Sequence, residues 1–160
     1  MVDSLVVLAI QCTFSCIIFF LIAKWYVEPS FTKSTKLSIL SFLLIINVFR
    51  YLPLSLYMPG QVSSDFPEHV KDIVAQGDFL SGIMAFLALL MVKYRPANSI
   101  IFVWLFSIVS IVDMVLALTF AMSAKVYLLP LGLNYFTVSV YVPMLMVVQH
   151  QIVKTITNKN

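Results

Sequence analysis

Hydrophobic residues run along this chain in five long blocks divided by short polar joints. The blocks fall at about 4–23, 37–58, 75–92, 99–123 and 128–153, and each approaches or exceeds the ~20 residues a helix needs to cross a bilayer. A backbone in hydrocarbon must satisfy its own hydrogen bonds, so runs of this kind predict helices. A membrane barrel would instead alternate every second residue. The predicted fold is all-α: a polytopic five-helix transmembrane bundle, a single domain over residues 1–160. The joints carry breakers and caps. In "KYRPANS" Pro96 stops one helix, and Asn98 or Ser99 is available to cap the next. The longest joint, 59–74, has Asp65 and Glu68 at capping-box spacing with Pro67 between them. That spacing predicts a short surface helix from Phe66 to Ala75, breaking at Gly77. Pro143, in "VYVPMLM", predicts a kink in the fifth span and a freed carbonyl.

Composition strengthens the membrane reading. The chain is 61% hydrophobic and 11% charged, against about 45–50% apolar and about 25% charged in soluble domains. A net charge of +3, with scattered basic residues, leaves no nucleic-acid footprint. Lys24, Lys33, Lys36, Lys93, Arg95, Lys154 and Lys159 fall on one side of the predicted bundle. Lys71 and Lys125 fall on the other, with Asp3, Asp65, Glu68 and Asp72. Positive-inside counting therefore predicts an outside N-terminus and a cytoplasmic C-terminus, in a multi-pass protein of the cell (inner) membrane whose first partner is the lipid bilayer. The opening "MVDSLVVLAIQ" has no basic n-region and is expected to stay as a helix rather than be cleaved. Cys12 and Cys16, four apart in that helix, are neither a redox nor a zinc pattern and are expected to act as small hydrophobes.

Polar residues inside the spans carry the candidate chemistry. An arginine at membrane depth costs about 2.5–3.5 kcal/mol on insertion scales. At about 1.5 Å per residue, Arg50 lies roughly 10–12 Å below the outer edge, with Asp113 at a similar depth. Asp78 enters about 5 Å down and Gln11 about 10 Å down. Asn47 is one turn deeper than Arg50, and Asn134 lies in the outer part of the fifth span. Each span thus offers a polar side chain to the outer half. Helical stripes predict that these meet: Asn47, Arg50, Leu54 and Tyr57; Ser107, Ser110, Asp113 and Ala117; Asp78, Ser81, Gly82, Ala85 and Ala88. Small residues on such a face let helices approach closely. One guanidinium does not balance two carboxylates, so the cluster is net negative unless one acid takes a proton or a cation or donor-rich ligand enters. Asp113 is expected to pair with Arg50, leaving Asp78, nearer water, to exchange the proton.

Three function classes follow. The first is a small transporter, channel or ligand-binding subunit for a small solute or proton. Its outward-facing pocket would use Arg50, Asp113, Asp78, Asn47, Gln11 and Asn134, and transport would call for a homo-oligomer. The second is an assembly or accessory subunit whose Arg–Asp cluster locks helices together. The third is a membrane-embedded enzyme acting on a lipid or quinone. No Ser/His/Asp nucleophile set, phosphate loop or zinc-helix motif occurs, and no mid-span lysine offers a retinal linkage. No cofactor or metal is expected. His69 and His150 lie at opposite ends, and "EHVKD" reads as a solvated helix face. Asn47-x-x-Arg50, Gly77-Asp78, Asp113, and Val142-Pro143 followed by His150 together resemble small bacterial integral membrane proteins of uncharacterised function, over about Ile45 to Val153. The resemblance implies a functional polar set and no activity. The size is also similar to the translocator/tryptophan-rich sensory family. Only Trp25 and Trp104 occur here, and that family's W-x-P-x-x-F type signature is absent.

Overall fold

A computed structural model describes residues 3–29 and 35–158 of the protein. Lys33 and Lys159, counted above for orientation, lie outside the described residues. Five helices are long and apolar enough to cross a membrane: α1 Ser4–Val27, α2 Lys36–Tyr57, α3 Glu68–Tyr94, α4 Pro96–Ser123 and α5 Asn134–Thr157. Among the described residues there is no strand. The upper end of the bundle holds the loops at 58–67 and 124–133; the lower end holds the α3–α4 turn and the end of α5.

Local chemistry explains the element boundaries. Asp3 caps α1 by accepting the Leu5 amide at 2.9 Å, and Thr35 caps α2 by accepting the Ser38 amide at 3.3 Å. Arg95 separates α3 from α4, and Pro96 opens α4 at the position where a missing N–H costs nothing. The structure corrects three expectations. First, there is no separate surface helix broken at Gly77. α3 is continuous from Glu68 through Gly77, and Pro67 is its uncapped start. Second, α2 is α-helical only to Val48 and tightens to a 3-10 helix over Phe49–Tyr57, which contains Pro53. With three residues per turn, every third side chain lines up. The buried row is therefore Arg50, Pro53 and Leu56, not Arg50, Leu54 and Tyr57. The fifth span also starts later than expected. A short turn at Val126–Leu128 precedes Pro130 and Gly132, and α5 begins at Asn134.

The helix α3 sits centrally, packed mainly on α4 and on both halves of α2. Below Arg50, Leu40, Leu43 and Leu44 of α2 meet Ala85 and Ala88 of α3, Phe106 of α4, and Val148 and Ile152 of α5 in one closed apolar core. Ala85 and Ala88 are fully buried, the small-residue face that close approach requires. At the upper end, the Ser63 amide donates to the Pro130 carbonyl at 3.2 Å. Gly132 has φ +54°, and a Cβ there would stand 2.5 Å from the Gln61 carbonyl oxygen, so this crossing demands glycine.

The helix α1 is the outlier, with no buried residue from Ser4 to Ile22. It packs chiefly on α5, through bonds that Pro143 makes available. Proline has no N–H, so the carbonyl four residues back, at Ser139, loses its helical donor. The local π turn over Thr137–Tyr141 would have used the carbonyl five back, at Val138. Both carbonyls are taken by α1: Ser15 Oγ donates to Ser139 at 2.8 Å, and Cys12 Sγ to Val138 at 3.6 Å. The freed carbonyl expected from the sequence is thus the docking point of another helix. Ser15→Ala is expected to lower stability by about 0.6 kcal/mol, the usual size of an interhelical hydrogen bond in membrane proteins. Unfolding in mixed micelles would measure it.

The lower end is tied by charge. Glu28 Oε1 accepts from Lys154 Nζ at 2.6 Å, and Lys36 Nζ donates to the carbonyls of Ile156 and Asn158, each at 3.1 Å, at the C-terminus of α5. The Lys154 hydrogen bond holds the Glu28 carboxyl below the usual range. A carboxyl depressed in the folded state stabilises fully above its unfolded value and loses that contribution as pH falls through its folded value. The tie is therefore expected to be intact at neutral pH and lost on acidification below the ordinary glutamate range. The pair is solvent-screened, so the loss is about 0.2–1 kcal/mol. It is measurable as a difference between wild type and Glu28→Gln at neutral pH that vanishes in acid.

Candidate functional site

The inward row of the 3-10 turn delivers Arg50 to the centre of the bundle, where its side chain is 1% exposed. Its Nε donates to Asp78 Oδ1 of α3 at 2.8 Å, and Nη2 forms an ion pair with the same oxygen at 2.8 Å. Nη2 also reaches Asp113 Oδ2 of α4 at 2.5 Å, and Nη1 donates to Ser110 Oγ one turn away on α4. Asp113 Oδ2 accepts a further bond from Ser81 Oγ at 3.1 Å. A planar guanidinium suits this work because its N–H groups diverge in a fixed fork. The α3 and α4 stripes read from the sequence therefore do converge on Arg50. Ser81 and Ser110, placed on them only as small residues, are hydrogen-bonding members of the cluster.

Gly77 completes the arrangement. A Cβ on it would fall 2.0 Å from Asp113 Oδ1 and 3.1 Å from Cγ. The Asp113 carboxylate thus lies against bare α3 backbone, and the glycine read as a helix break is its seat.

The other expected members separate. Asn47 is wholly buried, but its Nδ2 turns back to the Leu43 carbonyl at 3.0 Å and its Oδ1 has no partner. It stands under the triad without joining it. Asn134 is 4% exposed; its Oδ1 accepts from Ser55 Oγ at 2.8 Å, while Nδ2 has no partner. Gln11 is exposed on α1 and accepts from the Tyr135 hydroxyl, well apart from Arg50's partners. The reason is azimuthal: α1 docks on α5 and never enters the ring around Arg50. His150 is exposed near the lower end of α5.

The sequence predicts a polar outward-facing pocket at Arg50, not the apolar-walled cavity found there. A space of about 400 Å³ lies among α1, α3, α4 and α5 and ends on Arg50 and Asp78. Its walls are apolar: Leu8 and Cys12 of α1, Val74 of α3, Met114 and Leu118 of α4, Met146 of α5. Asn134 lines it as well, and Asp113 does not. The triad therefore has two sides. Asp113, Ser81 and Ser110 close its inner side; Asp78 and one edge of Arg50 face the cavity. Asp78 spends only Oδ1 on Arg50, and among the described residues no hydrogen bond reaches its Oδ2. No sequence signal marks such a space, since it depends on how far α1 stands from α4.

Neither the curated proteins nor the solved structures provide a match to this chain. A family model described as "Domain of unknown function (DUF8737)" matches residues 7–156, a stretch that contains Arg50, Asp78, Asp113 and all the cavity-lining residues except Leu5. The chain therefore belongs to the DUF8737 family.

Proposed function

We propose that this protein is a multi-pass protein of the cell membrane, N-terminus outside, that binds a small ligand in the outer half of the bilayer. The observation that carries the reading is the cavity of about 400 Å³ ending on Arg50 and Asp78. Its volume falls within the range of about 300–1,000 Å³ common to ligand sites, and it combines apolar walls with a few polar groups at one end. A purely mechanical ion-pair lock has no use for such a space. The charge asymmetry supports the orientation: Lys24, Lys36, Lys93, Arg95 and Lys154 stand at the lower end, opposite the cavity. The closed core below Arg50 favours a binding subunit over an open conduit.

Cys12 and Cys16 report on the space because both line it. In wild type they are expected to react with a small apolar maleimide added to protein in nanodiscs. Ala117→Phe, which projects a ring into the cavity from α4, is expected to slow that reaction at least tenfold while the protein keeps its helicity and unfolding midpoint. Equal reaction in the two proteins would refute the binding reading. A second reading, an accessory subunit held by a structural lock, draws on a different observation: Arg50 is already bonded to Asp78, Asp113 and Ser110. The two readings assign different faces of one cluster and meet different tests.

A further inference from the structure

We infer that the ligand is an uncharged single-chain amphipath with a hydroxyl-bearing head, its chain along α1 and α4 and its head at Asp78 and Asn134. The inference rests on the binding reading above and specifies what the site takes.

Size sets the first limit. At about 30 Å³ per water-sized group, a space of about 400 Å³ holds on the order of a dozen non-hydrogen atoms. That is one medium alkyl chain with a small head, not a two-chain phospholipid. The wall sets the second. Leu8, Cys12, Met114, Leu118 and Met146 offer an apolar slot in which methionine thioethers adapt to an irregular chain. A hydrophilic solute would leave its polar groups unpaired against that wall, at a cost of a few kcal/mol each.

The polar end sets the third. Arg50 and Asp78 sit side by side on the cavity surface as an ion pair, and the carboxylate that leaves the cluster net negative, Asp113, is held behind them. A cationic head placed there meets the guanidinium, and an anionic head meets the carboxylate. Either would be a buried charge without a free counter-charge. Asp113, the only other carboxylate of the cluster, does not line the space and is occupied by Arg50 and Ser81. What remains unused is one donor and one acceptor. Asn134 Nδ2 is buried without a partner, and Asp78 Oδ2 receives no hydrogen bond among the described residues. A hydroxyl both donates and accepts, so a head with hydroxyls serves Asp78 Oδ2 directly, and Asn134 Nδ2 once that enclosed amide turns toward the cavity, without bringing charge. Unpartnered buried donors are uncommon in folded proteins and call for an explanation; a bound hydroxyl supplies one.

The test compares three probes of equal chain length on wild-type protein in phosphatidylcholine nanodiscs: monodecanoylglycerol, decanoate and decylamine. The reading is protection of Cys12 and Cys16 from the apolar maleimide. Monodecanoylglycerol is expected to slow labelling at least tenfold more than decanoate or decylamine at the same bilayer concentration. Asn134→Leu, which removes the free donor, is expected to weaken that protection about tenfold. Asn134→Asp, which replaces the donor by an acceptor, is expected to do the same with the fold retained. Better protection by decanoate or decylamine would overturn the neutral-head assignment and leave the binding reading standing. Failure of all three probes, with both cysteines freely labelled, would overturn the assignment, while the Ala117→Phe comparison decides the binding reading separately. Protection by monodecanoylglycerol that neither Asn134 variant changes would overturn the placement of the head.

Discussion

Replacing Arg50 by leucine is expected to destabilise the protein by about 3–5 kcal/mol, the scale of truncating one partner of a buried ion pair. The guanidinium is 1% exposed and serves Asp78, Asp113 and Ser110 together. Its removal strands two carboxylates and a hydroxyl deep in the bundle. Arg50→Lys is expected to recover little, because an ammonium is a point charge and cannot span α3 and α4 with a fixed fork. The triple change Arg50→Leu, Asp78→Asn, Asp113→Asn is expected to return most of the loss, since it removes the stranded charges. Unfolding in mixed micelles with rising SDS would show the order: wild type and the triple variant close together, the single variant far below. A single variant within 1 kcal/mol of wild type would mean that the cluster does not hold α2, α3 and α4 together. The result bears on stability alone and leaves the cavity test independent.

Gly77→Ala is the second large effect, and its sign is diagnostic. In an ordinary helix interior this change gains about 1 kcal/mol. Here the new methyl would lie 2.0 Å from Asp113 Oδ1, so the carboxylate must leave α3 and its bonds to Arg50 and Ser81 must stretch. We expect a loss of about 1–3 kcal/mol, the usual cost of overpacking. In an Asp113→Ala background the obstacle is gone, and Gly77→Ala should turn neutral or stabilising. A double-mutant cycle measures this reversal as coupling between residues that share no bond. Additive effects would place the carboxylate elsewhere.

How much of this was legible in the sequence follows from what hydropathy encodes. The length of each apolar run fixes how many helices form, and helical rise fixes depth. Arg50, Asp78 and Asp113 could therefore be placed at comparable levels on faces that meet. Azimuth is weaker information. Gln11 shares the depth of Arg50, but α1 presents it to Tyr135 on α5, a choice made by packing. The row through Arg50 shifted because the turn containing Pro53 tightened, which moved Leu54 and Tyr57 off the buried face. Gly77 misled for a chemical reason: a residue that usually weakens a helix is here kept by what rests on it. A pocket at Arg50 is expected from the polar residues, but its apolar walls and its size had no signature, because an unfilled space is a property of several helices at once.

The bond between α1 and α5 has a consequence for how the protein is made. Ser15 and Ser139, like Cys12 and Val138, are separated by more than a hundred residues, and their contact needs the last of the five helices. Of the five helices α1 is made before the others, and its hydrogen-bonded partner α5 follows only after α2, α3 and α4 have supplied the residues around Arg50. Assembly thus ends with the wall that encloses the cavity. A nascent chain halted before Pro143 is expected to hold the complete Arg50 cluster beside an open cleft.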